Sequence, residues 1–340
     1  MKIGFMTHSK FQDFMDRILK GYDCYAPQDN TFEKSHLKRL IDTSKINLFG
    51  LRTEEPVTSL FFPPSSDLSV LPEEITPPKA LIGIKGCDLS AMKLLDWVFM
   101  NGSYVDPFYY MRRNNTLIIS TDCVDFNDSC FCTLIGEKPY PESGFDINIS
   151  QINDGFLLEA GTEIGEELLI KNNIFEATPN QIEERLIGRE DVKNTQLRNL
   201  EEQGFKFNYL SLDYVVKNSS KSPIWDNESE KCVECGACTF VCPTCHCFLL
   251  SSSGRSYFSK HRNWDSCLYY GFARVAGGAN PRYKLRDRLR NRFVNKFVFF
   301  PEVLDRIGCT GCGRCIDACL GKIDIRKVLE EVSSEKSVSI

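Results

Sequence analysis

Two runs of four cysteines constrain this 340-residue chain more than any other feature. The first run, residues 232–242, reads CVECGACTFVC, and Pro243 follows it. The second run, residues 309–319, reads CTGCGRCIDAC, and Leu320 follows it. Both have the spacing C-x2-C-x2-C-x3-C, which is the ligand run of bacterial ferredoxins. The sequence therefore predicts two 4Fe–4S clusters.

The ligand sets of these clusters are predicted to be crossed. In two-cluster ferredoxins the fourth cysteine of each run binds the cluster of the other run. One cluster then takes Cys232, Cys235, Cys238 and Cys319, and the other takes Cys309, Cys312, Cys315 and Cys242. Leu320 stands where a proline often follows, but proline is not a ligand. A structural zinc site needs four ligands, usually as two separated pairs, so this excess of thiols favours clusters over zinc.

Composition bounds the class of protein. The chain length suggests two or three domains, and 42% hydrophobic residues can bury an ordinary core. Sixteen cysteines without a secretory signal indicate metal or redox chemistry rather than disulfides. No apolar run approaches the roughly eighteen residues that span a bilayer. We therefore expect a cytoplasmic protein without membrane insertion.

Charge is unevenly distributed along the chain. The net charge is −5, yet residues 255–296 hold eleven Lys or Arg against Asp265 and Asp287. Three interpretations apply, in order of preference: a solvated or partner-facing surface, cations that stabilise a reduced cluster, and a nucleic-acid patch. The sequence thus favours a chain that binds no nucleic acid.

The clearest α/β pattern lies in residues 80–121. Residues 80–86 predict a buried strand, Asp88 a helix N-cap, residues 89–100 a helix, and residues 116–121 a second strand. Ligands of such sheets bind beyond the carboxyl ends of the strands. The cysteines that follow these ends are Cys87, Cys123, Cys130 and Cys132. They are either small buried residues or the ligands of a third cluster, and the residues alone leave both open.

The remaining patterns complete a two-domain prediction. Periodicity predicts helices over 7–20, 162–170, 179–203, 282–297 and 325–332, and a hairpin of strands 147–152 and 155–160. The helix over 282–297 is expected to have a basic outer face. Residues 219–223 form the expected boundary. We predict an α/β (α+β) domain over 1–220 and an α-helical, ferredoxin-like two-cluster domain over 221–340.

Several signatures are absent from the sequence. No G-x-G-x-x-G, Walker A, nucleophile-elbow or HExxH motif occurs, so no catalytic residue is assigned. Cys245, Cys247 and Cys267 remain after eight ligands are assigned. They line a cluster pocket, donate weak S–H bonds or substitute as ligands, and the sequence leaves these roles open.

The chain resembles the beta subunits of sulfhydrogenases, which are cytoplasmic nickel–iron hydrogenases, and equally the iron–sulfur electron-transfer chain of anaerobic sulfite reductase. The resembling pieces are Gly86-Cys87-Asp88, Asp106-Pro-Phe-Tyr-Tyr-Met-Arg-Arg113, Cys130-Phe-Cys132, Gly144-Phe-Asp146, Cys242-Pro-Thr-Cys-His-Cys-Phe248, Trp264-Asp-Ser-Cys267, Ala276-Gly-Gly278 and Cys312-Gly-Arg-Cys315. The resemblance includes the four N-terminal cysteines, so it favours a third cluster. It implies an electron-transfer subunit between a flavin- and NAD(P)H-binding partner and a catalytic partner.

We therefore predict one-electron relay that couples reduced nicotinamide to reduction of sulfite, sulfur or protons, or the reverse. The catalytic partner is then a sulfite reductase or a nickel–iron hydrogenase, and this chain alone turns over no substrate. One rival is an enzyme that reduces a substrate at an open iron among the N-terminal cysteines. Another is an iron–sulfur redox sensor or nucleic-acid-binding module, which salt-sensitive binding to duplex DNA would favour.

Overall fold

A computed structural model describes residues 2–29, 34–69, 77–254 and 258–336. Its strands, in chain order, are β1 Ile3–Thr7, β2 Asp23–Asp29, β3 Ser35–Arg39, β4 Ser65–Asp67, β5 Lys79–Ile84, β6 Thr116–Thr121, β7 Ile147–Ile152, β8 Gly155–Ala160, β9 Phe175–Glu176, β10 Phe248–Ser253 and β11 Ser259–Trp264. Its α-helices are α1 His8–Gly21, α2 Gly86–Met100, α3 Pro107–Asn114, α4 Glu163–Lys171, α5 Pro179–Glu202, α6 Leu212–Asn218, α7 Ile224–Lys231, α8 Ala237–Phe240, α9 Leu285–Val294, α10 Phe300–Leu304, α11 Arg314–Asp317 and α12 Ile325–Lys336. Short 3-10 helices are Thr43–Lys45, Val57–Leu60, Thr133–Ile135 and Tyr209–Ser211, and a π-helical turn is Asn295–Phe299.

The chain forms two compact units. The first, here the sheet unit, comprises Met1–Phe61, Leu71–Asp128 and Lys138–Leu197. The second, here the cysteine unit, comprises Phe62–Val70, Ser129–Glu137 and Arg198–Ile340. Two short N-terminal segments thus belong to the unit that holds both cysteine runs. The functional division at residues 220 and 221 stays a prediction.

A mixed eight-stranded sheet is the frame of the sheet unit. Its strand order is β3-β2-β5-β6-β7-β8-β1-β9. Strands β2, β5, β6 and β7 run parallel to their neighbours in that series, and the remaining pairs are antiparallel. Every residue of β6 is buried, as expected for a parallel strand covered on both faces. The predicted parallel pair and the predicted β7–β8 hairpin are both confirmed.

Two helices of the sheet unit test the sequence patterns directly. In α1, the predicted apolar face of Phe11, Phe14, Met15 and Ile18 is buried. Helix α2 begins at Gly86, three residues before the predicted start. Its N-cap is Lys85, so the prediction of Asp88 as the cap is wrong. Asp88 lies instead in the first turn, where a carboxylate interacts favourably with the helix dipole.

The cysteine unit is mainly helical, with a small antiparallel sheet of order β10-β11-β4. Its core contains the fully buried Trp225, which packs edge-on against Phe293 at 5.2 Å and donates its indole N–H to Ser219 O at 2.7 Å. The predicted helix over 282–297 is α9 followed by the π-helical turn. Among the described residues, no helix is both long and apolar enough to cross a membrane.

Candidate iron–sulfur sites

The two cysteine runs share one backbone conformation. Glu234 and Gly311 occupy equivalent places and have φ of 54° and 64°. Gly236 and Gly313 have φ of 74° and 73°, and each caps a four-residue helix, α8 or α11. Loops that contain left-handed residues can turn successive backbone N–H groups into a concavity for anions, including iron–sulfur clusters. The equal spacing in the sequence therefore corresponds to an equal loop in the structure.

Four cysteines of the predicted first set line one cavity in the cysteine unit. They are Cys232, Cys235, Cys238 and Cys319, and Cys315 of the second set also contributes to the wall. The structure thus brings the first three thiols of one run to the last thiol of the other. Apolar side chains, among them Leu268 and Ile325, complete the lining. The ligand role of each cysteine stays a prediction.

A buried cation also lines this cavity. Arg292 of α9 is 5% exposed, and its Nη2 donates to Cys238 O at 3.4 Å. Its buried Nε has no hydrogen-bond partner among the described residues. Burial acts to lower the pKa of this guanidinium, but the neighbouring Cys238 and Cys315 thiolates raise it well above its ordinary value. A buried cation requires compensating negative charge, and an anionic thiolate-bound cluster fits that requirement.

The second predicted set is gathered around another buried cation, Lys296. This residue is 4% exposed, and its ammonium donates to Cys242 Sγ at 3.2 Å. The charges of Cys242 and Cys245 raise the pKa of Lys296 against the lowering effect of burial. Burial raises the pKa of Cys309 to about 12, and Lys296 counteracts it. Donors and charges here also fit a thiolate-bound cluster.

Single-ion and cluster sites differ in how their ligands are arranged. Among the described residues, no group of three or more His, Cys, Asp and Glu side chains is placed to hold a metal ion. A cubane binds each thiolate on a different iron, so its ligands surround a volume rather than converge on one point. The cavity walled by the first predicted set has this second form.

Comparison with known proteins decides the family. Residues 231–323, which include all eight cysteines of the two runs, match the 4Fe-4S dicluster domain. Sulfhydrogenase 2 subunit beta of Pyrococcus furiosus is 31% identical over 345 aligned positions, covering 96% of this chain and 97% of the relative. The chain belongs to the sulfhydrogenase beta-subunit family. No solved structure matches it. The family resemblance predicted from the sequence is confirmed.

The three extra cysteines of this sulfhydrogenase beta-subunit relative take part in thiol pairs. A hydrogen bond with Cys245 lowers the pKa of Cys242 and raises that of Cys245. A second hydrogen bond lowers the pKa of Cys247 and raises that of Cys267. Of the roles that the sequence leaves open, hydrogen bonding between thiols is the one these contacts support.

The basic segment of this family member differs from the prediction. Arg288, Arg292 and Lys296 are spaced four apart and are all buried, so the expectation of a basic outer face is wrong for these three. Arg288 donates to Leu268 O at 2.8 Å and Glu234 Oε2 at 2.7 Å. The helix buries this cationic stripe together with its apolar one. Arg255, the first residue of the basic segment, lies outside the described residues.

The four N-terminal cysteines fall in both units. In the sheet unit, Cys87 and Cys123 lie close enough to the buried Lys85 for their charges to act on it. Burial lowers the pKa of Lys85, and its ammonium donates to Leu48 O at 2.9 Å and Thr121 Oγ1 at 3.1 Å. A cation thus lies at the carboxyl ends of β5 and β6, where the sequence predicts ligands.

The other two N-terminal cysteines belong to the cysteine unit and lie beside the second run. Cys130 Sγ contacts Cys312 O at 3.7 Å, and the intervening Phe131 N donates to Gly311 O at 2.7 Å. A third cluster shared by Cys87, Cys123, Cys130 and Cys132 stays a prediction.

Proposed function

We propose that this chain is an iron–sulfur electron-transfer subunit that relays electrons between a partner that binds flavin and NAD(P)H and a catalytic partner. The observation that carries the proposal is the cavity in which Cys232, Cys235, Cys238 and Cys319 surround one volume beside the buried Arg292. Two 4Fe–4S clusters in crossed ligand sets would supply reversible one-electron storage there. The chain contributes spacing, burial and positive charge.

The exposed side of the first site suits exchange with another protein. Cys235 is exposed, whereas Cys312 at the equivalent place of the second run is buried. Two apolar side chains next to predicted ligands are also exposed, Val233 at 60% and Leu320 at 72%. Exposed apolar side chains beside a redox site favour docking of a partner. We propose that electrons enter or leave the chain at this side.

The identity of the partner is proposed from the family. The relative is named as a subunit of a sulfhydrogenase, so we favour a nickel–iron hydrogenase as the catalytic partner. The sequence resemblance keeps a sulfite reductase as the alternative. Burial of Arg288, Arg292 and Lys296 withdraws three cations from the basic segment, which favours electron relay over nucleic-acid binding. We further propose that the protein acts in the cytoplasm.

Iron and sulfide analysis of the anaerobically purified full chain tests this function. Two cubanes require about eight irons and three require about twelve. The expected result is a brown protein with about twelve, falling to about eight in Cys130→Ser. A value of about eight that is unchanged in Cys130→Ser would remove the third cluster and leave the relay. A colourless protein loaded with zinc would overturn the function itself.

The control for this experiment is Cys24→Ser. Cys24 is a buried cysteine of the sheet unit, and its thiol contacts the carbonyls of Ile18 and Tyr22. It belongs to neither run, so its loss should leave the iron content unchanged. Affinity purification from the native source under the same conditions would then identify the partner: a hydrogenase is expected, and a sulfite reductase would select the alternative.

A further inference from the structure

The ammonium of Lys296 holds together the two chain segments that the second cluster needs. Its Nζ donates to Cys242 Sγ at 3.2 Å, to Thr244 Oγ1 at 2.7 Å and to Gly308 O at 3.0 Å. The backbone carbonyl of Lys296 also accepts from Gly308 N at 2.7 Å. We propose that Lys296 sets the reduction potential of the cluster to which Cys242 and Cys309 contribute, an inference that rests on the proposed function.

The hydrogen bonds of this ammonium are complete. A lysine ammonium has three donor hydrogens, and the three acceptors use all of them. The single hydroxyl hydrogen of Thr244 goes to Gly308 O at 2.7 Å. Thr244 therefore accepts from Lys296 and has no hydrogen left for Cys242. The charged donor to the Cys242 sulfur is Lys296.

The backbone around Lys296 is specialised for this placement. Lys296 lies in the π-helical turn Asn295–Phe299, between α9 and α10. Such turns are rare and are frequent at functional sites. Gly308, which the turn binds through both backbone and side chain, immediately precedes Cys309. The turn thus places one cation against a cysteine of the first run and against the start of the second.

The effect on the potential follows from charge. Reduction adds one electron to the cluster, and no bond forms or breaks. A fixed positive charge and a hydrogen bond to a ligand sulfur stabilise the reduced, more negative form and so raise the potential. Water is excluded at 4% exposure, so screening is weak. Lys296 acts through Cys242 and is a positioning residue rather than a catalytic one.

A redox titration with dithionite as the reductant, followed by electron paramagnetic resonance, tests the proposal on the full chain. In Lys296→Met, which keeps the length of the side chain, one cluster potential should fall while the other stays nearly constant. Lys296→Arg should restore much of the shift because it keeps the charge. The matched control is Lys284→Met, which removes an exposed cation of the same basic segment and should change neither potential.

Iron content separates failure of this inference from failure of the proposed function. If wild type and Lys296→Met hold equal iron and equal potentials, Lys296 does not tune the cluster, and the relay stands. If wild type holds no iron, the proposed function fails first. If Lys296→Met alone fails to assemble clusters, Thr244→Val decides. It removes one acceptor of the ammonium and keeps Cys242, so a smaller fall is expected and an unchanged potential would overturn the inference.

Discussion

The two cysteine runs have the same spacing and the same loop, yet they tolerate different residues at the same place. Glu234 and Gly311 are equivalent and both left-handed, with φ of 54° and 64°. The Glu234 side chain is 40% exposed and pairs with Arg288 at 2.7 Å. A Cβ on Gly311 would lie 2.4 Å from the Cα of Cys132. The loop sets the backbone conformation, and the surroundings decide which side chain can stand on it.

The second pair of left-handed positions shows the same contrast. A Cβ on Gly236 would meet the Tyr269 hydroxyl at 2.7 Å, the far end of a side chain. A Cβ on Gly313 would meet the backbone O of Ser129 at 2.4 Å. The segment 129–137 therefore covers the second run with backbone, while side chains cover the first. This difference explains why Cys312 is buried and Cys235 is exposed.

The largest effect is expected from Gly311→Ala. A left-handed alanine costs about 1–2 kcal/mol by itself, and the clash with Cys132 backbone adds to it because the chain there cannot rotate away. We expect a loss of more than about 2 kcal/mol in the free energy of unfolding of the cysteine unit. We also expect loss of the iron held by the second run. Denaturant unfolding and iron analysis measure both.

The matched change in the first run is Glu234→Gly. It relieves a left-handed glutamate, worth about 1 kcal/mol, and removes one partner of Arg288, which keeps its carbonyl acceptors at Leu268 and Tyr283. These contributions oppose each other, so stability should change by less than about 1 kcal/mol. Equal tolerance of Gly311→Ala and Glu234→Gly would show that the surroundings of the two runs do not differ as described.

The next largest effect is expected from replacing the last cysteine of each run. Crossed ligand sets require Cys319→Ser to remove the same signal as Cys235→Ser, and Cys242→Ser the same signal as Cys312→Ser. Each should lower iron by about four per chain. Electron paramagnetic resonance of the reduced protein identifies which signal is lost. If Cys319→Ser instead matched Cys312→Ser, each run would hold its own cluster.

How far the sequence predicts this fold depends on whether the pattern is local. The apolar stripe of α1 and the alternation in β7 and β8 are local, and both elements form where predicted. The serine-rich stretch 251–254 reads as a loop, yet residues 251–253 belong to β10. This strand pairs with β11, and β11 pairs in turn with β4, nearly two hundred residues earlier in the chain. No local pattern encodes that long-range pairing.

The candidate site divides in the same way. The thiols are recognisable in the sequence because a cluster fixes their spacing. The buried cations are not, because burial of Arg292 and Lys296 depends on segments such as 308–319 that pack against α9 and the π-helical turn. The sequence does hold one signal: Arg288, Arg292 and Lys296 recur every four residues, which places them on one helical stripe. The prediction that this stripe faces outward is wrong because charge alone does not reveal which stripe is buried.

The smallest effect concerns Cys24, a reference thiol outside both runs. Burial, and then the nearby Asp23, raise the pKa of Cys24 to about 12, whereas an unfolded thiol has a pKa of about 8.5. A raised folded pKa stabilises the fold below the unfolded value, and that stability is lost as pH rises toward 12. Between pH 7 and 9 the loss is below about 1 kcal/mol. Denaturant unfolding should show this decline in wild type and a flatter profile in Cys24→Ala. An identical slope would mean that Cys24 is not buried as a neutral thiol, and would remove it as the uncompensated standard against which the cation-compensated thiols of the two runs are compared.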